Sequence, residues 1–202
     1  MEVNSSVLLT TAYLPPVDWF RAAARYGQVQ IEGCETFQKQ SYRNRCVICT
    51  ASGPQTLQLP ILHAGSRLIR DIRIDYSKNW LHTHCHAIST AYGPSPFYEY
   101  YWDGIAEILA KRHTFLFDLN YELAARIAAM MNLRTEFSIT GDWGAAAQGV
   151  TDLREAIHPK REPAGSPFKE YFQVFAGRMA FIPNLSIIDL LFCEGPQATS
   201  YL

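Results

Sequence analysis

The chain has 202 residues, 48% of them hydrophobic, 13% aromatic and 18% charged, a balance that excludes a disordered segment and supports a buried core. Eighteen basic residues against nineteen acidic ones leave a net charge of −1, so there is no general basic field for a nucleic-acid backbone or an anionic membrane. No apolar run approaches the ~20 residues that span a bilayer, and the start carries no basic segment of the secretory type. A soluble cytoplasmic protein without nucleic-acid partners or membrane insertion is expected.

In chain order, Val7 to Tyr13 reads as a strand stopped by Pro15 and Pro16, which restrict the preceding residue and remove donors. VDWFRAAARYG then carries apolar residues at helical spacing, with Asp18 in its first turn, Arg25 in its last and Gly27 as the stop. QVQIEG follows as a strand, and the strand-helix-strand order predicts two parallel neighbours. RCVIC and TLQLPIL flank Ser52, Gly53 and Pro54 as a hairpin. Ile69, Ile72 and Ile74 suggest one more strand.

From Asn79 the period becomes helical. WLHTHCHAISTAYG ends near Gly93, and two further helices are predicted in YEYYWDGIAEILAKR and TFLFDLNYELAARIAAMMNL, with Asn120 as N-cap and Asp118 beside it. Glycine and proline crowd the segment after Gly141, which reads as a long surface loop, whereas FIPNLSIIDLLF is expected to pack back on the body. The fold class is therefore α/β (mixed): an N-terminal mixed β-sheet with helices followed by a mainly helical second half, in one domain over 1–202.

The densest polar run is ETFQKQSYRNR, 35–45. Arg43 and Arg45 offer planar forks for phosphate or carboxylate, Lys39 a point charge or acid, and Asn44 a bidentate amide; the alternative is a solvated loop. His82 and His86 share a helical face, and with Cys46 and Cys49 they would complete a zinc site, except that an extended RCVIC spreads its sulfurs to opposite faces. Five cysteines, Cys34, Cys46, Cys49, Cys85 and Cys193, are odd in number and unevenly spaced, which favours reduced thiols. A Cys-His nucleophilic pair with His84 as base finds no local signature. Neither glycine-rich phosphate motif occurs, nor the G-x-S-x-G elbow.

Several segments in fixed order, AYLPPVDWF, ETFQKQSYRNRC, LQLP, IRDIRIDY, WLHTH, AYGPSPFYEYY, FLFDLN and FIPNLSIIDLLFCEGP, resemble the bacterial WbqC-like proteins across nearly the whole chain. The resemblance implies a setting in O-antigen or surface-polysaccharide gene clusters, and carries signature polar residues onto Lys39, Tyr42, Asn44, Arg45, His84 and Tyr92. Cys85 departs from the aromatic residue expected after the histidine. The resulting expectation is an enzyme of glycan precursor synthesis that transfers an acyl or aminoacyl group to an activated sugar or other anionic small molecule. Lys39 and His84 would be catalytic, Tyr42, Asn44, Arg45 and Tyr92 would bind substrate, no metal would take part, and no cofactor is specified. A non-catalytic binder of the same pathway and a zinc-supported structural module are the alternatives.

Overall fold

The computed structural model describes residues 6–62, 65–144, 146–161, 163 and 167–202. Its centre is a four-stranded sheet in the order β5-β2-β1-β6, parallel throughout, with β1 Ser6–Thr10, β2 Gln28–Glu32, β5 Glu136–Ile139 and β6 Val150–Asp152. The predicted β1-helix-β2 unit is present, with Val7 opposite Val29 and Leu9 opposite Ile31. The helix is α1, Val17–Tyr26.

Alternation along the strands sorts the two faces. Val7, Leu9, Val29 and Ile31 join the main core, where Phe137 of β5 stacks on Trp19 of α1 and meets Tyr121 edge-on. On the other face Leu8, Gln30, Glu32 and Thr140 look toward the segment that begins at Gly141. The first turn of α1 has no side-chain cap of its own. The distant C-terminal segment supplies the acceptors instead: Val17 N–H donates to the Leu185 carbonyl at 2.9 Å and Asp18 N–H to Asn184 Oδ1 at 2.9 Å.

Strands β3, Arg45–Thr50, and β4, Gly53–Gln58, form the expected hairpin as a separate antiparallel pair. The isoleucine run is not a strand. Ile69–Asp71 is a 3-10 turn flanked by single bridges of Leu68 to Thr36, Arg73 to Phe115 and Ile74 to Ile61. Ile69 and Ile72 are an odd number of residues apart, so an extended chain would send them to opposite faces; the turn buries both, and Ile74 as well.

Helices α2, Trp80–Tyr92, α3, Tyr98–Ala110, and α4, Leu116–Met130, follow as the periodicity predicted. Asn120 does not cap α4. The helix starts four residues earlier, after Phe115, and the Asn120 side chain donates inward to the Arg43 carbonyl at 2.8 Å. The tail packs back: Ile187 to Cys193 of α5, Ile187–Glu194, are all buried. At the end of α5, Gly195 has positive φ and lies under the Phe97 ring, where a Cβ would collide.

The α/β class stands, but the strands are distributed otherwise than expected. The four-stranded sheet is not mixed, and half of its strands, β5 and β6, come from the second half of the chain. Both are short: β5 alternates only over Phe137 and Ile139 and exposes all but Phe137, and β6 has three residues, so neither is long enough to mark a half-buried strand. Among the described residues no helix is long and apolar enough to cross a membrane.

Candidate functional site

From β1 the chain moves through α1 to β2 on one side, and from β5 it crosses to β6 on the other. Such a reversal leaves a crevice at the carboxyl ends of the strands, where open parallel sheets hold ligands. Polar residues collect at this edge. Glu32, 1% exposed at the end of β2, accepts from Cys34 N–H and Thr140 Oγ1 on Oε1, each at 2.8 Å, and from Arg154 Nη1 on Oε2 at 2.8 Å. Arg154 also grips the Asp152 carboxylate, donates to the Gly144 carbonyl at 3.0 Å, and lies 4.8 Å from the centre of the Trp143 ring. One guanidinium thus ties β6 to β2 and holds down the 141–144 turn.

A second pair lies beside the first. Glu35 and Arg43, each 3% exposed, form a bidentate bridge through Nε at 2.8 Å and Nη2, and Arg43 Nη1 donates to Gln38 Oε1 at 3.3 Å. Burial raises the Glu35 carboxyl above its usual range; the Arg43 bonds and charge oppose this, Glu32 adds to it and Arg154 counters it. All four groups therefore share one electrostatic neighbourhood. His158 belongs to it too: burial first and then the Arg43 charge hold its imidazole below the ordinary value.

Trp143 is 62% exposed. On one side it walls a cleft of about 300 Å³ with Gln30, Glu32, Thr140 and Asp142, and on the other a cleft of about 490 Å³ with Cys34, Glu35, Thr36 and Gln38. Where these meet, Gly33 leaves room for the Arg70 guanidinium, which a Cβ would displace and whose Nη2 donates to the Thr140 carbonyl at 2.5 Å. The arrangement provides carboxylate and amide acceptors around an exposed aromatic plane.

The residues singled out from the sequence fall in three places. Lys39 is exposed, on the wall of a neighbouring cleft with Thr36. His84, Tyr42, Asn44 and Arg45 lie between α2 and the hairpin. His84 is 4% exposed, its Nδ1 accepts from the Tyr13 hydroxyl at 3.0 Å, and its ring packs edge-on to Trp80. Burial pushes its pKa down to about 4, against a bond to the Gln58 carbonyl. Asn44 donates to the Leu59 carbonyl at 2.8 Å, Arg45 Nη2 to Gln58 Oε1 at 3.4 Å, and the Tyr42 carbonyl accepts from Tyr13 N–H at 2.9 Å. Burial raises the Tyr42 phenol to about 12. Tyr92 is wholly buried, its hydroxyl accepting from Cys49 N–H at 3.0 Å. Lys39 and His84 therefore have separate surroundings.

Cys46 and Cys49 are buried in β3, and burial raises both thiols, Cys49 to about 11. His82 and His86 stack on the exposed side of α2. Among the described residues no group of three or more His, Cys, Asp or Glu side chains is placed to hold a metal ion.

The geometry picks out Glu32, Glu35, Arg43, Trp143 and Arg154, and the Arg43 charge brings in His158; of these the sequence pointed to Arg43 alone, as a fork for an anion, whereas here it is spent on Glu35. Glu35 and Arg43 stood within the polar run; the signal for the others was faint, an acidic residue closing a strand and an Asp-x-Arg after a three-residue one.

A family profile described as the WbqC-like protein family matches residues 11–161, which include every residue of this edge. The chain belongs to the WbqC-like family. It is also similar to the uncharacterized protein Rv1507c of Mycobacterium tuberculosis (strain ATCC 25618 / H37Rv), at 24% identity over 96% of each chain. No solved structure matches it. The matched segment starts just after β1 and ends past β6, so this WbqC-like protein places the polar edge residues inside the family segment and β1 and α5 outside it.

Proposed function

We propose that this WbqC-like protein binds an activated sugar at the carboxyl edge of its parallel sheet and transfers a group to it during synthesis of surface-polysaccharide precursors in the cytoplasm, with 1–202 acting as one unit. The observation that carries this reading is the exposed Trp143 ring shared by two clefts, with the exposed Asp142 carboxylate lining one and the exposed Gln38 amide the other, beside the buried Glu32 and Glu35 pairs that fix the edge. Sugars present hydroxyl donors at their rim and C–H faces above and below the ring, so carboxylate acceptors beside an aromatic plane match both surfaces.

Proton handling falls to Glu35 and His158. Glu35 has a carboxyl raised by burial, and His158 a neutral imidazole near the Arg43 charge. His84 supports the interior instead, because Tyr13 and Gln58 engage its ring. Lys39, expected as a catalytic residue, is read here as a ligand contact, and Tyr42, Asn44, Arg45 and Tyr92, expected to bind substrate, as residues that hold the hairpin and α2.

A binder without catalysis is the second reading, favoured by the Arg43 and Arg154 guanidinium groups, each already paired with carboxylates. Thermal unfolding against nucleotide-sugars, with and without acyl-CoA and amino-acid donors, tests the site, because a ligand of the native state raises the melting temperature. A nucleotide-sugar shift that Trp143→Ala abolishes without lowering its own melting temperature supports the sugar site, and turnover of the shifting pair decides for catalysis. No nucleotide-sugar shift, or an equal one in Trp143→Ala, overturns the proposal.

A further inference from the structure

The two arginines of the Trp143 site spend their charge on carboxylates, so an anionic group on the ligand must find its countercharge elsewhere. The cleft next to it supplies one. Thr36 stands on the shared wall, and beyond it lies a space of about 620 Å³ lined by Phe37, Lys39, Ile61, Arg67 and Ile72 among others. Among the described residues no acidic side chain lines this space. Neither Lys39 nor Arg67 has a carboxylate partner among them.

Backbone pairing carries both cations on one small frame. Phe37 N–H donates to the Arg67 carbonyl at 2.8 Å, and Thr36 bridges to Leu68. The two charges therefore stand on facing segments, on a floor of Ile61 and Ile72 and beside the half-buried Phe37 ring. A lysine and an arginine facing one cleft without internal countercharge favour a multiply charged oxyanion, for which a guanidinium fork and an ammonium point charge are complementary binders.

We infer that the Lys39–Arg67 cleft is a diphosphate subsite, continuous past Thr36 with the Trp143 cleft. Its meaning rests on the sugar reading of that neighbour: one ligand would place its sugar against Trp143 and the diphosphate that activates the sugar between Lys39 and Arg67. Anion binding at the cleft is independent of the sugar and is tested alone.

The test is calorimetric titration of the full chain with inorganic pyrophosphate. Wild type is expected to bind, about tenfold more weakly after either Lys39→Ala or Arg67→Ala and beyond detection in the double variant, as loss of charge-assisted contacts dictates. Both side chains are exposed, so the fold is retained, as circular dichroism would verify. Arg178→Ala, an exposed cation outside the cleft, should bind pyrophosphate as wild type does. Absence of wild-type binding, or equal binding by the double variant, overturns the subsite. The outcomes are separable: pyrophosphate binding without any nucleotide-sugar binding keeps the anion subsite and removes the sugar reading, whereas nucleotide-sugar binding that is lost in Trp143→Ala and unaltered in the double variant does the reverse.

Discussion

Arg154 reaches across 122 residues of sequence to the Glu32 carboxylate, Nη1 to Oε2 at 2.8 Å, and so fastens the last strand of the sheet to the second. Glu32 is 1% exposed, so removing the guanidinium strands a buried charge with only the Cys34 N–H and the Thr140 hydroxyl to hold it. Breaking one side of such a pair costs about 3 kcal/mol, while removing the charge from both sides costs far less. Arg154→Met should therefore lower the unfolding free energy by about that amount, and adding Glu32→Gln should restore most of it. Denaturant titration of the two single variants and the double variant checks this; a double variant no more stable than Arg154→Met would contradict it.

That bond also explains what sequence patterning reveals and what it hides. The β1-α1-β2 unit is legible because Val7, Leu9, Val29 and Ile31 alternate and α1 carries a clear apolar face. The three long helices are legible for the same reason. β5 and β6 are not, being strands of four and three residues that gain their stability from neighbours already in place. The 35–45 run was visible as polar chemistry, yet its division into the inward Glu35 and Arg43 and the outward Lys39 and Arg45 depends on the 3-10 turn Tyr42–Asn44 and on the register of β3 with β4. His84 drew attention through its neighbours in sequence, and its burial against Tyr13 is a tertiary fact.

His84 gives the fold a pH dependence with a definite sign. Its folded-state pKa lies at about 4 against 6.5 ordinarily, because burial disfavours the imidazolium. The unfolded chain thus binds a proton that the native state refuses, and the contribution to stability, complete above about pH 6.5, is lost as the pH falls toward about 4. The displacement corresponds to about 3 kcal/mol at most. Unfolding free energies of wild type and His84→Gln measured from pH 7 to pH 4 should diverge in slope across that window, with wild type the steeper. Parallel slopes would show that His84 titrates normally in the fold.

Asp189 has the opposite sign. It sits in the first turn of the apolar α5, wholly buried, with Oδ2 accepting from the Tyr171 hydroxyl at 2.7 Å and from Gln173 Nε2 at 3.2 Å. Burial raises its carboxyl above the usual range, and the bonds from Tyr171, Tyr92 and Gln173 work against that rise. Its favourable contribution is therefore present below the ordinary carboxylate pKa and is lost as the pH rises through the raised folded value. What the side chain supplies at neutral pH is an acceptor, since Gln173 in turn holds the Ile182 backbone at both its amide atoms. Asp189→Asn keeps an acceptor and discards the charge, so its melting temperature at pH 7 should equal or exceed that of wild type. Asp189→Leu leaves the Tyr171 hydroxyl without its acceptor in the interior, takes one of the Gln173 amide bonds, and should lose about 2 kcal/mol. Thermal unfolding of the three proteins at pH 7 decides it: a greater loss in Asp189→Asn than in Asp189→Leu would mean that the buried charge itself stabilises the docking of α5.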